Sequence, residues 1–222
     1  CITAIKFFFR WFFCGVVIPM DPAEKVEQKT VISPLPVVLT KTEQEKALDA
    51  AEALRTSAAQ DLRPFLLLKL VLDTAMKKGE CLNLKTNHVE LEGPEGPYIF
   101  IRYPSLRYRY KERKVPVSVE WTQAYQEYIA AYKIQDAVFP WSQRRLEYLL
   151  EDVGKAAQLD KHLSFNMCRW TSVLNDLTSG MDADKIRQKL GISKIQWREV
   201  SQKLRSLAKE YGYELSSPEN KG

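Results

Sequence analysis

Basic side chains concentrate in the stretch "RYPSLRYRYKERK", residues 102–114, where they alternate with tyrosines. Six Lys or Arg residues stand there against a single Glu. Residues 105–119 have the composition of a β-strand, and alternate side chains of a strand share one face. The pattern predicts Tyr108 and Tyr110 on one face and a basic edge on the other, formed by Arg107, Arg109, Lys111 and Arg113.

Such an edge has two interpretations, a solvated strand face or a polyanion-binding surface. Neighbouring like charges repel one another, and Glu112 is the one carboxylate of the stretch that can compensate them. Nucleic-acid phosphate is the usual polyanion that relieves such repulsion. A second basic stretch, residues 185–209, has eight Lys or Arg residues against one Glu and includes Lys194 and Arg198. Together the two stretches favour a nucleic-acid partner.

Metal and disulfide chemistry are disfavoured by the spacing of the cysteines and histidines. Four cysteines lie far apart without a CxxC motif, and the chain has two histidines, His88 and His162. This predicts free thiols in a reducing compartment, no metal and no cofactor. The chain has 222 residues, of which 45% are hydrophobic and 27% charged, a globular composition with room for one domain, or for one domain plus a fragment.

The apolar stretch "FFFRWFFCGVVIPM", residues 7–20, raises the question of a membrane anchor. Lys6 and Arg10 interrupt it and Pro19 stops it, so the uncharged run is shorter than the roughly 20 apolar residues that a span requires. No small-residue cleavage site follows, as a signal peptide would need. The pattern predicts a terminal helix whose apolar side packs on other protein, and no membrane partner.

Most of the remaining chain is predicted to be helical. Residues 26–38 have two prolines and no helical period, which indicates a linker. Thr40 and Glu43 have the spacing of a capping box and open a helix that extends to about Ala58. Strands are predicted at 97–103 and 105–119. Further helices are predicted from Asp61, with Pro64 in the first turn, and at Glu120–Tyr132, Gln143–Leu159, Phe165–Thr178, Ala183–Leu190 and Lys194–Tyr211.

Several motifs then stand in a recognisable order. "LDTAMKKGECLNLK" lies where one enzyme family has T-G-L-R-x-S-E-L-L-x-L, and "KERKVPV" is similar to that family's hairpin, K-x-R-x-V-P. "NMCRWT" to "GMDADKIRQKLGI" follows H-x-L-R-H-T to G-x-x-x-x-x-I-x-x-x-L-G-H without a gap. Over roughly residues 36–211 the chain resembles the catalytic domain of the tyrosine recombinase (phage integrase) family. The opening stretch resembles the last helix of that family's core-binding domain.

The resemblance implies an α+β, mainly α fold with a small antiparallel β-sheet. It implies a fragment of a helical, SAM-like core-binding domain at 1–25, a linker at 26–38, a recombinase-like catalytic domain at 39–213 and a tail at 214–222. The implied partner is double-stranded DNA, with a homo-oligomer on the DNA as a further option. The implied location is the cytoplasm in association with the nucleoid, or the nucleus in a eukaryote.

The family's chemistry is attack of a tyrosine on a DNA phosphodiester, which gives a phosphotyrosyl link and a free hydroxyl. Two arginines clamp the phosphate oxygens, while a hairpin lysine and two His-type positions handle protons. The motif's glutamate is retained as Glu80, and the second arginine is retained as Arg169. The other family positions fall on Lys77 (first arginine), Tyr108 (hairpin lysine), Asn166 (first histidine), Ile192 (second histidine) and Ser201 (nucleophilic tyrosine).

These departures predict a DNA-binding protein without the family's activity. Lysine at 77 keeps the charge but loses the bidentate fork, and Ser201 has no adjacent base to activate it. Two interpretations of Arg169 remain open: its guanidinium pairs with a carboxylate such as Glu80, or it binds a phosphate. The alternatives are an active recombinase with an atypical nucleophile and a protein-interaction module on the same fold. The predicted DNA-binding residues are Lys77, Arg107, Arg109, Lys111, Arg113, Arg169, Lys194 and Arg198.

Overall fold

A computed structural model describes residues 2–26 and 34–213 of the chain. The chain divides into two compact units, Cys1–Pro34 and Leu35–Gly222. Most of the predicted linker, residues 27–33, and the whole predicted tail, 214–222, lie outside the described residues.

The first unit contains helix α1, Ile2–Cys14, so the predicted terminal helix is confirmed. Its aromatic rings contact one another along the helix, with centroids 4.8 Å apart for Phe8 and Phe12 and 5.1 Å apart for Trp11 and Phe12. Over residues 2–26 and 34–213, no helix combines the length and the apolar character needed to cross a bilayer. That α1 belongs to a core-binding domain stays a prediction.

The second unit is mainly helical around one three-stranded antiparallel sheet, as predicted. Strands β1 (Val89–Glu90), β2 (Tyr98–Ile101) and β3 (Arg113–Pro116) follow one another in space as in sequence, and Ile99 of β2 lies opposite Val89 and Val115. The helices are α2 (Lys41–Thr56), α3 (Arg63–Thr74), α4 (Lys78–Leu82), α5 (Val119–Tyr132), α6 (Gln143–Ala156), α7 (Phe165–Thr178), α8 (Ala183–Leu190) and α9 (Lys194–Glu210).

Side-chain caps fix where most of these helices begin. The Thr40–Glu43 capping box is present at α2, as predicted. Hydroxyls at the starts of α5, α6, α7 and α9 each accept a hydrogen bond from a backbone N–H three residues on; they belong to Ser118, Ser142, Ser164 and Ser193. Such caps satisfy amides that the first helical turn leaves unpaired. The helix starts were therefore predictable from local sequence.

Helix α3 is the centre of the core, because α2, α5, α6 and α7 all pack against it. Its Leu66, Leu67, Leu68 and Leu70 are fully buried. Burying one such side chain contributes about 1.5–3 kcal/mol, so α3 is held firmly in place. A second apolar cluster joins α7, α8 and α9 through residues that include Leu174, Ile186, Leu190, Leu204 and Leu207. Ala75, which follows α3, belongs to the same cluster, so the segment after α3 packs against α7.

The strand predicted over 105–119 is wrong for its first part. Residues Leu106–Lys111 form a 3-10 helix, and only Arg113–Pro116 pair as a strand. The register explains the difference, since Ile101 already lies opposite Arg113 and the chain between them must reverse its direction. Glu112 closes this connection, because its carboxylate accepts the backbone N–H of Tyr103 at 3.0 Å. The alternating basic edge therefore does not form.

Candidate functional site

Lys77, Asn166 and Arg169 line one open cavity of about 520 Å³ in the second unit. Lys77 follows α3, and Ala75 between them takes the left-handed conformation (φ 51°) that turns the chain out of the helix. Asn166 and Arg169 come from the first half of α7. Other polar and charged side chains that line the cavity are Lys78, Arg144, Glu147, Tyr148, Glu151, His162 and Ser164.

Glu80, three residues after Lys77, forms a buried ion pair with Arg113. Two parallel hydrogen bonds of 3.0 Å join the Arg113 guanidinium to the two carboxylate oxygens. Glu80 also accepts the backbone N–H of Lys77 at 2.8 Å and the hydroxyl of Tyr103. Burial alone would raise the pKa of the Glu80 carboxyl, but the hydrogen bonds and charge of Arg113 outweigh it and lower that pKa. This carboxylate is ionised and fully bonded.

Arg169 has no such carboxylate partner among the described residues. Its Nε donates to the carbonyl of Ala75 at 2.9 Å, and no carboxylate of the described chain lies within 4.0 Å of its guanidinium. Burial lowers the pKa of Arg169, and the positive charge of Arg113 lowers it further, while Glu80 acts in the opposite direction. The sequence left two partners open for Arg169, the Glu80 carboxylate or a phosphate. The Glu80 carboxylate is hydrogen-bonded to Arg113 and not to Arg169.

Lys77 carries the second uncompensated charge in the cavity. Burial lowers the pKa of Lys77; the charge of Glu80 opposes this, and Arg169, Arg113 and Lys111 lower the pKa further. The two acidic residues of the lining have their own partners, because Glu147 contacts Lys78 and Glu151 contacts Lys155. The cavity therefore holds positive charge that the described protein does not neutralise.

The positions that would supply the family's nucleophile and second histidine lie elsewhere. Ile192 and Val200 line a second cavity of about 220 Å³, which shares Asn166 and Arg169 with the first. Ser201 lines neither of these two cavities, and its hydroxyl donates to the carbonyl of Arg198 at 3.1 Å. Because adjacent residues of a helix point in different directions, Val200 takes the inward position next to Ser201.

The two tyrosines after α9 pack against the protein. Tyr211 and Tyr213 both contact the second apolar cluster. The ammonium of Lys41 lies 5.6 Å from the ring centroid of Tyr213. Neither tyrosine lines a cavity with Arg169. Both side chains have a structural role at the end of α9.

The 3-10 segment between β2 and β3 presents its basic and aromatic side chains to solvent. Arg107 and Arg109 are exposed, and across the described residues no carboxylate forms a salt bridge with either. The Lys111 ammonium lies 4.9 Å from the ring centroid of Tyr108 and 5.4 Å from that of Tyr110. The predicted basic edge is wrong in two respects. Arg107, Arg109 and Lys111 lie in the 3-10 helix and not in a strand, and the Arg113 side chain, which is in β3, is only 8% exposed.

On α9, Lys194 and Arg198 are exposed and form no salt bridge within residues 34–213. Several neighbouring cations of the basic stretch are paired, as Lys189 is with Asp176 at 2.7 Å and Lys203 with Glu199 at 2.8 Å. The large positive charge counted from the sequence of 185–209 is therefore partly neutralised. Lys194 and Arg198 remain available for an external anion.

The model of the phage integrase family matches residues 37–209. This chain belongs to the phage integrase family. No curated protein sequence matches it.

Solved structures of recombinases share the fold of this integrase-family chain. XerA recombinase has a TM-score of 0.65 and 22% identity, over 81% of this chain and 66% of that one. XerH bound to its palindromic difH substrate after cleavage has a TM-score of 0.67 and 22% identity, over 80% of this chain and 51% of that one. A lambda integrase dimer bound to a COC′ core site has a TM-score of 0.69 and 15% identity, over 99% and 61%. This integrase-family chain thus spans about half to two thirds of these recombinases.

Sequence reasoning did not assign to the site the polar and charged lining residues Lys78, Arg144, Glu147, Tyr148, Glu151, His162 and Ser164. Arg144 and Tyr148 are four residues apart on α6, and the Arg144 guanidinium donates to the Tyr148 hydroxyl. The i,i+4 spacing is the one local signal of this contact. Within the ranges that the structure describes, no three His, Cys, Asp or Glu residues are grouped so as to hold a metal ion.

Proposed function

We propose that this integrase-family protein binds double-stranded DNA and does not cleave it through phosphotyrosine. The proposed surface combines the Lys77–Arg169 cavity, the 3-10 segment before β3 and the start of α9. Its DNA-binding residues are Lys77, Arg107, Arg109, Lys111, Arg169, Lys194 and Arg198. Arg113 is omitted because its guanidinium is buried against Glu80.

One observation carries the proposal, the uncompensated charge of Lys77 and Arg169. Both side chains are partly buried, both have lowered pKa values, and Glu80 is bonded to Arg113 instead. A desolvated cation without a carboxylate is costly, and an anion that enters the cavity relieves that cost. A phosphodiester offers two non-bridging oxygens, which suit the planar guanidinium of Arg169.

Structurally similar recombinases support DNA as the partner. The XerH and lambda integrase structures are described as bound to their DNA sites, the latter as a dimer. By analogy we extend the duplex, and an oligomer on it, to this protein. We also propose that residues 1–25 are part of a core-binding domain and that the protein resides with DNA, at the nucleoid or in a nucleus.

Loss of cleavage follows from what stands at the family's reactive positions. Ile192 has no ionisable group, Asn166 carries an amide, and Tyr108 replaces a proton-donating lysine. Ser201 donates its hydroxyl to a backbone carbonyl away from the cavity. Covalent catalysis requires a nucleophile within hydrogen-bond reach of a base. None of these four side chains supplies that arrangement.

A second candidate, an active recombinase with an atypical nucleophile, is favoured by the position of Tyr148. This residue lines the same cavity as Lys77 and Arg169, and its hydroxyl accepts a hydrogen bond from Arg144. In this candidate the Tyr148 oxygen forms the bond to phosphorus while the DNA oxygen leaves with a proton as a free hydroxyl.

One binding experiment distinguishes DNA binding without cleavage, an active recombinase and a protein-interaction module. The protein is mixed with labelled duplex DNA at several salt concentrations, and both binding and covalent adducts are measured. We expect salt-dependent binding without an adduct. An adduct that maps to Tyr148 would establish the second candidate. Absence of binding at low salt would reject both and favour a protein-interaction module on this fold.

A further inference from the structure

The 3-10 segment Leu106–Lys111 exposes apolar and aromatic side chains that phosphate binding does not require. Tyr110 is 76% exposed and Leu106 is 71% exposed, whereas the core tyrosines Tyr125 and Tyr128 are almost fully buried. A surface that only neutralises phosphates needs cations alone. Exposed apolar side chains grouped in one place mark an interaction site.

The aromatic rings of this segment are held in a defined arrangement. Lys111 lies against the rings of both Tyr108 and Tyr110, and the Tyr108 ring is 6.1 Å from that of Tyr103. Tyr103 in turn donates its hydroxyl to the buried Glu80. A chain of contacts thus connects the exposed rings to the buried ion pair. Tyr108 is thereby connected to the folded core, and the neighbouring Tyr110 ring is exposed to solvent.

The charge around the rings points to nucleic acid. Arg107 and Arg109 flank Tyr108, are exposed, and are free of carboxylate partners among residues 34–213. Cations that follow a sugar–phosphate backbone together with rings that stack on bases are the combination found in proteins that bind unpaired nucleotides. In an intact duplex the faces of the bases are covered by their neighbours, so only an unpaired base offers its face to a ring.

We propose that this segment binds DNA preferentially where a nucleotide is unpaired, and that the unpaired base stacks on Tyr110. The inference rests on the DNA binding proposed above and adds the kind of DNA that is preferred. Arg107 and Arg109 bind the phosphates beside the unpaired nucleotide, while the Lys111 ammonium contacts the Tyr110 ring.

The test compares two duplexes of the same sequence at one salt concentration. One is fully paired, and the other carries a single bulged 2-aminopurine, a base whose fluorescence is quenched by stacking. We expect the bulged duplex to bind about tenfold more tightly, in the range of one base–aromatic contact, with quenching on binding. Tyr110→Ala should abolish both the preference and the quenching, and Tyr110→Phe should retain them because the ring remains.

Each outcome is informative. Equal, salt-dependent binding of the two duplexes would overturn the inference and leave the proposed DNA binding intact. A preference that persists in Tyr110→Ala would show that the bent shape of a bulge is recognised, and would overturn the stacking assignment. Binding of neither duplex would reject the proposed function itself, and this inference with it. Arg107→Gln should weaken both duplexes by the same factor and leave their ratio unchanged.

Discussion

Glu80 and Arg113 form an ion pair in which each terminal guanidinium nitrogen lies 3.0 Å from a different carboxylate oxygen. The two side chains are 2% and 8% exposed. Arg113 also donates from Nε to the carbonyl of Lys189 at 2.7 Å. The pair therefore joins β3 to α4, and the additional hydrogen bond joins β3 to the end of α8. Arg113 thereby binds the Glu80 carboxylate, the negative charge that acts to raise the pKa values of both Lys77 and Arg169. The same contact therefore holds the fold together and leaves the cavity positive.

Glu80→Gln should lower the free energy of unfolding by about 3–5 kcal/mol, since it leaves a buried guanidinium without its counter-charge. Glu127→Gln is the matched control. Glu127 also accepts two hydrogen bonds from one arginine, Arg55, but its side chain is 47% exposed. The control should lose less than about 1 kcal/mol. Urea unfolding of both variants measures the difference, and equal losses would contradict a buried role for the pair.

Gly191 should be more sensitive to alanine than Gly180. Both have positive φ angles, +61° and +81°, so either substitution incurs the cost of a left-handed residue, about 1–2 kcal/mol. A Cβ at 191 would lie 2.6 Å from Nη1 of Arg113, whereas one at 180 meets nothing within 4 Å. Gly191→Ala should therefore lose more stability, because it displaces the arginine from Glu80. A thermal melt of each variant tests this, and equal shifts would contradict it.

Most helices were predictable because their signals are local, although the short helix α4 was not predicted. A serine or threonine three residues before a free amide fixes a helix start, whatever lies elsewhere in the chain. The segment before β3 was mispredicted because its alternation of tyrosine and arginine has the period of a strand, while its real constraint is the pairing of Ile101 with Arg113. The sequence could not show where that pairing begins.

The site was predicted only in part for the same reason. Lys77 and Arg169 were found from motifs, but the bond between Glu80 and Arg113 joins residues that are 33 apart in the chain. Arg144 and Tyr148 reach the cavity because α6 packs beside α4 and α3. No sequence motif of α6 predicts this packing. Long-range packing decided which cations are neutralised and which remain available.

DNA affinity should fall steeply with salt, because phosphate contacts release counterions. Reversing the charge of Arg109 to glutamate should weaken binding to every sequence by a similar factor and reduce the salt slope by about 1 or more. Lys46→Glu is the control, since Lys46 is also exposed but lies on α2, outside the proposed surface. Fluorescence anisotropy across a salt series gives both slopes. A flat response in the unaltered protein would reject the DNA assignment.

DNA binding should also weaken as the pH rises through the pKa of Lys77. That pKa is lowered in the free protein by burial, and the charges of Arg169, Arg113 and Lys111 add to this effect against that of Glu80. The sign follows directly: a phosphate favours the ammonium form, so binding raises the pKa and takes up a proton between the free and bound values. Lys77→Arg should remove this part of the pH dependence, because arginine stays charged. The same pH slope in both proteins would exclude Lys77.

We expect no covalent intermediate on a nicked duplex designed to trap one. Loss of the nucleophile removes the covalent route, whatever the remaining clamp contributes. Ser201→Tyr alone should not restore an adduct, because Val200 rather than Ser201 lines the cavity with Arg169 and the proton donors are still absent. The family's full set would require Lys77→Arg, Tyr108→Lys, Asn166→His, Ile192→His and Ser201→Tyr together.

Denaturing gels detect the adduct, and mass spectrometry of the digested protein locates it. Tyr148→Phe serves as the control, because it removes the one tyrosine hydroxyl found among the lining residues of the Lys77–Arg169 cavity while keeping the ring. An adduct in the unaltered protein that disappears in this variant would overturn the inactive assignment and identify the nucleophile. An adduct in the five-substitution variant alone would show that the fold still positions DNA for attack, and that inactivity lies in the reactive groups.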